Sequence, residues 1–89
     1  MTGKERAELR KQANTLTAIF QIGKENIKET LIEAVDAALK KREIIKLSVL
    51  ETSELSAKEA AEQLAEATQA EVIQCIGRKL VLYRQKEEE

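Results

Sequence analysis

Residues 19–27 combine a short apolar stretch, a glycine and a lysine in a pattern that suits anion binding. Ile19-Phe20-Gln21-Ile22 is typical of a short buried strand, because β-branched and aromatic side chains favour strands. Gly23 then permits a sharp turn. The apolar positions from Ile27 to Leu39 recur every fourth residue and predict an amphipathic helix. Such a turn points backbone N–H groups and a helix N-terminus outward, so a phosphate could bind there beside Lys24.

Catalytic chemistry finds little support in the sequence. The chain has no histidine, which removes the commonest general base and the commonest metal ligand. Its single cysteine, Cys75, lies in an apolar segment and is predicted to be a small core residue. No glycine-rich nucleotide motif is present, and Phe20 and Tyr83 are too few aromatics for a base-stacking platform. We therefore expect no enzyme activity, no cofactor and no metal.

The charges are unevenly distributed along the chain. The formal net charge is −1, which argues weakly against a nucleic-acid partner. Residues 1–24, however, carry five basic residues against only two acidic ones, and much of the acid lies in the third predicted helix and in the tail Glu87-Glu88-Glu89. A local basic surface can attract a phosphate backbone whatever the total charge. The basic face of the first helix is equally well explained as a solvated helix surface.

Helix-capping signals and changes in the spacing of apolar residues divide the chain into seven helices and strands. Thr2 and Ser56 each open a capping box, Asn26 is the predicted N-cap of the second helix, and Gly77-Arg78 predicts a tight type II′ hairpin turn. The predicted elements are a helix from Thr2, a strand at 19–22, a helix at 27–40, a strand at 44–50, a helix at 56–68 and strands at 72–76 and 79–84. This order, α-β-α-β-α-β-β, predicts an α/β fold, an α+β sandwich with three helices and one four-stranded mixed sheet.

The apolar phase of each element predicts the core. The residues expected to be buried are Ile22, Leu31, Val35, Leu47, Leu64, Ile76 and Leu82. The small side chains Ala57, Ala60, Ala61 and Ala67, on the same side of the third helix as Leu64, allow close packing against the sheet.

Length and composition predict one domain over residues 1–86, with an acidic, disordered tail at 87–89. We expect a monomer. The apolar runs are too short to span a membrane and the polar N-terminus is unlike a secretory signal. A single cysteine excludes an internal disulfide and favours a cytoplasmic location.

Four segments, taken together, resemble a known family. They are the first-helix pattern Leu9-Arg10-x-x-Ala13-x-x-Leu16, the loop Phe20-Gln21-Ile22-Gly23-Lys24, the strand start Glu43-Ile44-Ile45-Lys46 and the segment from Gln74 to Arg84. Their order and spacing, over roughly Thr2 to Arg84, are similar to those of the YhbY-type CRM domain, named for chloroplast RNA splicing and ribosome maturation. Members share a compact α/β fold similar to the C-terminal domain of translation initiation factor three.

The resemblance implies a non-enzymatic RNA-binding protein that associates with precursors of the large ribosomal subunit. It also implies that the loop holds RNA through the phosphate backbone, as the Gly-x-x-Gly loop of KH domains does. The residues expected to contact RNA are Gly23, Lys24 and Asn26 in the loop, with Arg6, Arg10, Lys11, Arg78, Lys79 and Arg84 as a supporting basic surface.

Three positions depart from the family pattern: Asn14 stands where the family often has histidine, Ala18 where it often has proline, and the third is Asn26 in the loop. Asn26 stands where the second loop glycine is expected, and Glu25 adds a negative charge beside it, so we expect a weaker clamp than a true Gly-x-x-Gly loop. The alternative function is that of a protein-interaction module, in which the acidic second and third helices dock a basic partner such as a ribosomal protein.

Overall fold

The computed structural model describes residues 2–24 and 27–85 of the chain. Helices and strands follow one another in the predicted order α-β-α-β-α-β-β. Their bounds are α1 Gly3–Thr15, β1 Phe20–Ile22, α2 Glu29–Arg42, β2 Ile44–Val49, α3 Ala57–Thr68, β3 Glu71–Ile76 and β4 Lys79–Tyr83. Within the described ranges no helix is long and apolar enough to cross a membrane.

The four strands form one mixed sheet in the order β1-β2-β4-β3, which confirms the predicted architecture. β1 runs parallel to β2, whereas β4 is antiparallel to both of its neighbours, β2 and β3. The two-residue turn Gly77-Arg78 joins β3 to β4, and only Gly77 has a positive φ, of 59°. Positive φ at the first central residue alone matches the predicted type II′ turn.

The main core lies between one face of the sheet and helices α2 and α3. Ile45, Leu47 and Val49 of β2 all point into it, as their alternation predicted. A smaller cluster on the second face of the sheet joins Ala13 of α1 to Ile73 and Val81. The sheet is therefore covered on both faces, but by a single helix on the second.

Three predicted core positions are wrong and one is only partly right. Ile76 is 65% exposed, and Cys75 is exposed as well. Both lie near the turn end of β3, an edge strand with a neighbour on one side only, so little structure covers them. Ala67 is exposed on α3, where Thr68 is buried instead, and Leu31 is partly buried against the core.

Helix α2 begins later than predicted. Its N-cap is Lys28, so the predicted capping role of Asn26 is wrong, and Asn26 itself lies outside the described residues. The helix continues to Arg42, so its last turn contains Lys40, Lys41 and Arg42. Their positive charges interact favourably with the negative end of the helix dipole. The predicted acidic tail 87–89 also lies outside the described residues.

The other two helices begin where their capping signals predicted. The Thr2 hydroxyl accepts a hydrogen bond from the backbone N–H of Glu5 at 3.2 Å. At the start of α3, Ser56 and Glu59 form a complete capping box, in which each side chain accepts from the other residue's backbone N–H.

Candidate nucleic-acid interface

Three turns meet at one end of the sheet, which we call the loop end. They follow β1, follow β2 and connect β3 to β4. The backbone N–H of Leu50 donates to the Ile22 carbonyl at 2.8 Å, and that of Val49 donates to the Arg78 carbonyl at 2.6 Å. These two bonds bring the segment after Ile22 and the turn at Arg78 to the same end of the fold, although they are more than fifty residues apart in the sequence.

The Gly23-Lys24 segment lies at the β1 edge of the loop end. Gly23 has no positive φ, so the turn does not require glycine for its backbone conformation. A Cβ on Gly23 would come within 3.5 Å of Leu50 Cδ1 and of Thr52 Oγ1, which is ordinary van der Waals contact. The fold therefore accepts an alanine there. Lys24 is exposed beside it, whereas Asn26 belongs to the part of the loop that the structure does not describe.

The N-terminus of α2 follows the loop and differs from those of α1 and α3. Its N-cap, Lys28, makes no capping hydrogen bond with its side chain, whereas Thr2 and Ser56 cap the other two helices. The first N–H groups of a helix have no partner within the helix, and the helix dipole favours an anion there. The helix N-terminus thus lies two residues further along the chain than the sequence predicted, and anion binding there stays a prediction.

Arg78 and Lys79 occupy the turn on the other side of the loop end. Both side chains are exposed. The Arg78 guanidinium lies 3.8 Å from a carboxylate oxygen of Glu51, which belongs to the loop after β2. A pair this long and this exposed is weak, so Arg78 can exchange its partner for another anion.

Arg6 lies far from the loop end. Its guanidinium donates to the Val72 carbonyl at 3.1 Å and lies 3.6 Å from the Glu71 carboxylate, so it ties α1 to the start of β3. Val72 and the Gly77 turn are separated by about 16 Å of extended strand. Arg10 and Lys11 are exposed on the same helix as Arg6. Arg6, and with it part of the predicted basic surface, therefore lies away from the loop end.

Arg84 is largely buried and bonded to other parts of the fold. Its side chain is only 21% exposed. The guanidinium donates to Asp36 Oδ1 at 2.6 Å, to the Asp36 carbonyl at 3.1 Å and to the Thr68 carbonyl at 2.7 Å. These bonds join the end of β4 to α2 and α3, so we leave Arg84 out of the candidate interface.

The loop end also contains a carboxylate that sequence reasoning missed. Glu51 stands beside Arg78, a contact between residues 27 positions apart that arises only because β2 pairs with β4. Two further polar side chains, Lys46 and Ser48, could be placed from the sequence. The alternation of β2 turns both of them away from the main core.

The hydroxyl of Tyr83 has a shifted pKa. Burial raises the pKa of Tyr83 above its ordinary value of 10.0, and the nearby carboxylates of Glu43, Glu5 and Glu71 raise it further. The hydroxyl is therefore neutral at physiological pH. Among the described residues no group of three histidine, cysteine or acidic side chains could hold a metal ion.

The sequence matches the family model of the CRS1 / YhbY (CRM) domain over residues 1–84. The chain belongs to this family. This CRM domain is 39% identical over 88 residues to the probable RNA-binding protein YqeI of Bacillus subtilis (strain 168), a match that covers 99% of this chain and 92% of YqeI. It is 38% identical over 89 residues to the probable RNA-binding protein MJ0652 of Methanocaldococcus jannaschii, covering 98% of this chain and 66% of that one.

A solved structure agrees with the fold. The CRM domain superposes on the solution structure of the hypothetical protein SAV1595 from Staphylococcus aureus, a candidate RNA-binding protein, with a TM-score of 0.81 and 44% identity. The match covers 99% of this chain and 92% of that one. The resemblance inferred from the four sequence segments is thereby confirmed at the level of family and fold.

Proposed function

We propose that this CRM domain binds RNA, and that the loop end of the sheet makes the main contact. The observation that carries the proposal is the convergence of Lys24, Arg78 and Lys79 at one end of the sheet. The names of the relatives support RNA as the ligand. A cluster of exposed cations at turns, with backbone N–H groups nearby, suits a chain of phosphates.

The loop favours contact with the RNA backbone. Because the fold accepts a Cβ at Gly23, the glycine is best explained by access: a bare backbone lets a phosphate approach closely. Lys24 stands beside that backbone, and the N-terminus of α2 follows it along the chain. A phosphate at this point would accept from backbone N–H groups and from the Lys24 ammonium together.

The RNA we propose is the precursor of the large ribosomal subunit, bound in the cytoplasm by a monomeric, non-enzymatic domain. This finer assignment rests on the family resemblance. Crosslinking in cells followed by sequencing of the bound RNA tests it. Enrichment of large-subunit precursor sequences is the expected result, and crosslinks confined to other RNAs would contradict it.

A protein partner is the second candidate. α3 exposes Glu59, Glu62 and Glu66, which a basic protein such as a ribosomal protein could contact. The two functions make different predictions for a single variant. Charge removal at Glu62 and Glu66 (Glu→Gln at both) should leave affinity for naked RNA unchanged or slightly raised, but should abolish binding to a basic protein partner.

A further inference from the structure

The second face of the sheet, opposite α2 and α3, is covered by α1 at one end only. Ala13 of α1 packs against Ile73 and Val81, and Arg6 of the same helix bonds to Val72 near the start of β3. The helix therefore lies over the half of this face toward the start of β3. Among the described residues, no helix packs over the half next to the loop end.

One row of side chains crosses all four strands in the half next to the loop end. The register pairs Gln21 of β1 with Ser48 of β2, and Ser48 with Lys79 of β4. It pairs Lys79 in turn with Ile76 of β3. The row lies on the second face, because the residues that flank it along β1, β2 and β4 belong to the main core. We call Gln21, Ser48, Lys79 and Ile76 the cross-strand row.

The cross-strand row is accessible. Gln21 and Lys79 are exposed, Ser48 is half-buried and Ile76 is 65% exposed. Three strand spacings give the row a length of about 14 Å. The sheet of RRM domains has the same four-strand width and holds two or three bases of a single strand.

The chemistry of the row suits nucleotide bases. The amide of Gln21 and the hydroxyl of Ser48 each offer both a donor and an acceptor, so they can bond to the edge of any base. Ile76 offers an apolar surface for the face of a base. Because none of the four side chains is aromatic, each contact should be weaker than stacking and tolerant of sequence.

The charges around the row complement RNA. Lys24 follows β1 at one edge, Arg78 stands in the turn at the other side, and Lys46 lies beside Ser48 on the same face. Phosphates held at Lys24 and Arg78 would lead a strand across the row between them.

We propose that the cross-strand row contacts the bases of a single-stranded RNA segment whose phosphates lie at Lys24 and Arg78. This inference rests on the proposed function and adds the form of the RNA and a second contact surface. Duplex RNA keeps its bases paired, so it would gain nothing from this surface.

The test compares two row variants with two matched controls. Gln21→Ala and Ile76→Thr remove the base contacts and leave every charge in place. Gln63→Ala removes an exposed glutamine from α3, and Cys75→Ser changes the exposed neighbour of Ile76 that pairs with Leu80 and so faces the opposite side of the sheet. Urea unfolding of all four establishes that each is folded.

The probes are a mixed-sequence RNA of about twelve nucleotides and a duplex of the same length. Each row variant should bind the single strand about twofold to tenfold more weakly, the effect of one lost hydrogen bond or similar contact. Its duplex affinity and its salt dependence should match the wild type, as should both affinities of the control variants.

Two outcomes would overturn the inference, and they can be told apart. If the wild type binds both RNAs and the row variants bind the single strand as tightly as the controls do, the row is not a base-contacting surface and is free for a protein partner, while the proposed function stands. If the wild type binds neither RNA, the proposed function fails together with the inference.

Discussion

Arg84 and Asp36 form the shortest ion pair between described side chains, with Arg84 Nη1 2.6 Å from Asp36 Oδ1. The same guanidinium donates to the Thr68 carbonyl at the end of α3, so one side chain holds the end of β4 to both helices that cover the core. Arg84, which the sequence predicted to contact RNA, thus has a structural role in this fold.

Removal of the Arg84 side-chain charge should lower stability without weakening RNA binding. Arg84→Met keeps much of the side-chain volume but loses three hydrogen bonds. We expect a loss of about 1.5 kcal/mol in the free energy of unfolding, the lower end for bonds to charged groups, because Asp36 is 35% exposed. Urea titration measures it, and Arg10→Met at an exposed position is the control. An unchanged stability with reduced RNA affinity would return Arg84 to the interface.

The same pair predicts sensitivity to acid. The hydrogen bond from Arg84 lowers the pKa of Asp36 below its ordinary value of 3.8; burial opposes this shift, and Lys40, 3.3 Å away, adds to it. A carboxyl whose folded-state pKa is lowered stabilises the fold above its unfolded pKa, and that contribution is lost as the pH falls through the folded pKa. Stability should therefore fall below about pH 4. Arg84→Met should lose less stability than the wild type over that range in urea titrations at several pH values, and parallel curves would contradict the assignment.

Core and surface positions of the sheet should respond very differently to truncation. Leu47 is fully buried in β2, so Leu47→Ala should cost about 2–5 kcal/mol. Ile76→Thr, at a position that is 65% exposed, should change the free energy of unfolding by less than about 0.5 kcal/mol. Urea unfolding of the two variants checks both values. A large loss for Ile76→Thr would mean that this face of β3 is covered in solution.

Which strand positions are buried and which are exposed could largely be predicted from the sequence. The remaining positions depend on how the strands pair in the sheet. The alternation along β2 predicted its buried face correctly, and the capping signals at Thr2 and Ser56 placed two helices. The apolar pattern of β3 wrongly predicted that Ile76 is buried. Apolar character alone does not reveal that a strand lies at the edge of the sheet and that the residue is near a turn.

The candidate site shows the same division. The sequence predicted the exposed lysine at the turn after β1 and the exposed arginine in the hairpin. It could not predict that they share one end of the sheet, since this depends on the parallel pairing of β1 with β2 and the antiparallel pairing of β2 with β4. Nor could it predict the role of Arg84, whose partner Asp36 is 48 residues away.

The function of Gly23 can be separated from its effect on folding. Because a Cβ there would make only ordinary contacts and no positive φ is required, Gly23→Ala should keep its stability within about 0.5 kcal/mol. The proposed function nevertheless predicts several-fold weaker RNA binding, because a side chain at this residue hinders the close approach of a phosphate to the backbone. Parallel urea and filter-binding titrations check this pair of results. If the variant is stable and binds RNA normally, the lack of a side chain at Gly23 does not serve the approach of a phosphate.

The salt dependence of RNA binding by Lys24→Ala reports directly on the proposed phosphate contact at the loop end. Lys41→Ala is the matched control, because Lys41 is an exposed lysine in the last turn of α2, next to the start of β2 and so at the opposite end of the sheet. Filter-binding titrations of a single-stranded RNA across a salt series should give Lys24→Ala a slope of log affinity against log salt that is shallower by about 0.7, the value for one lost phosphate contact. Lys41→Ala should keep the wild-type slope. Identical slopes and affinities for the wild type and Lys24→Ala would contradict the proposed contact between Lys24 and phosphate and would move the RNA contact away from the loop end.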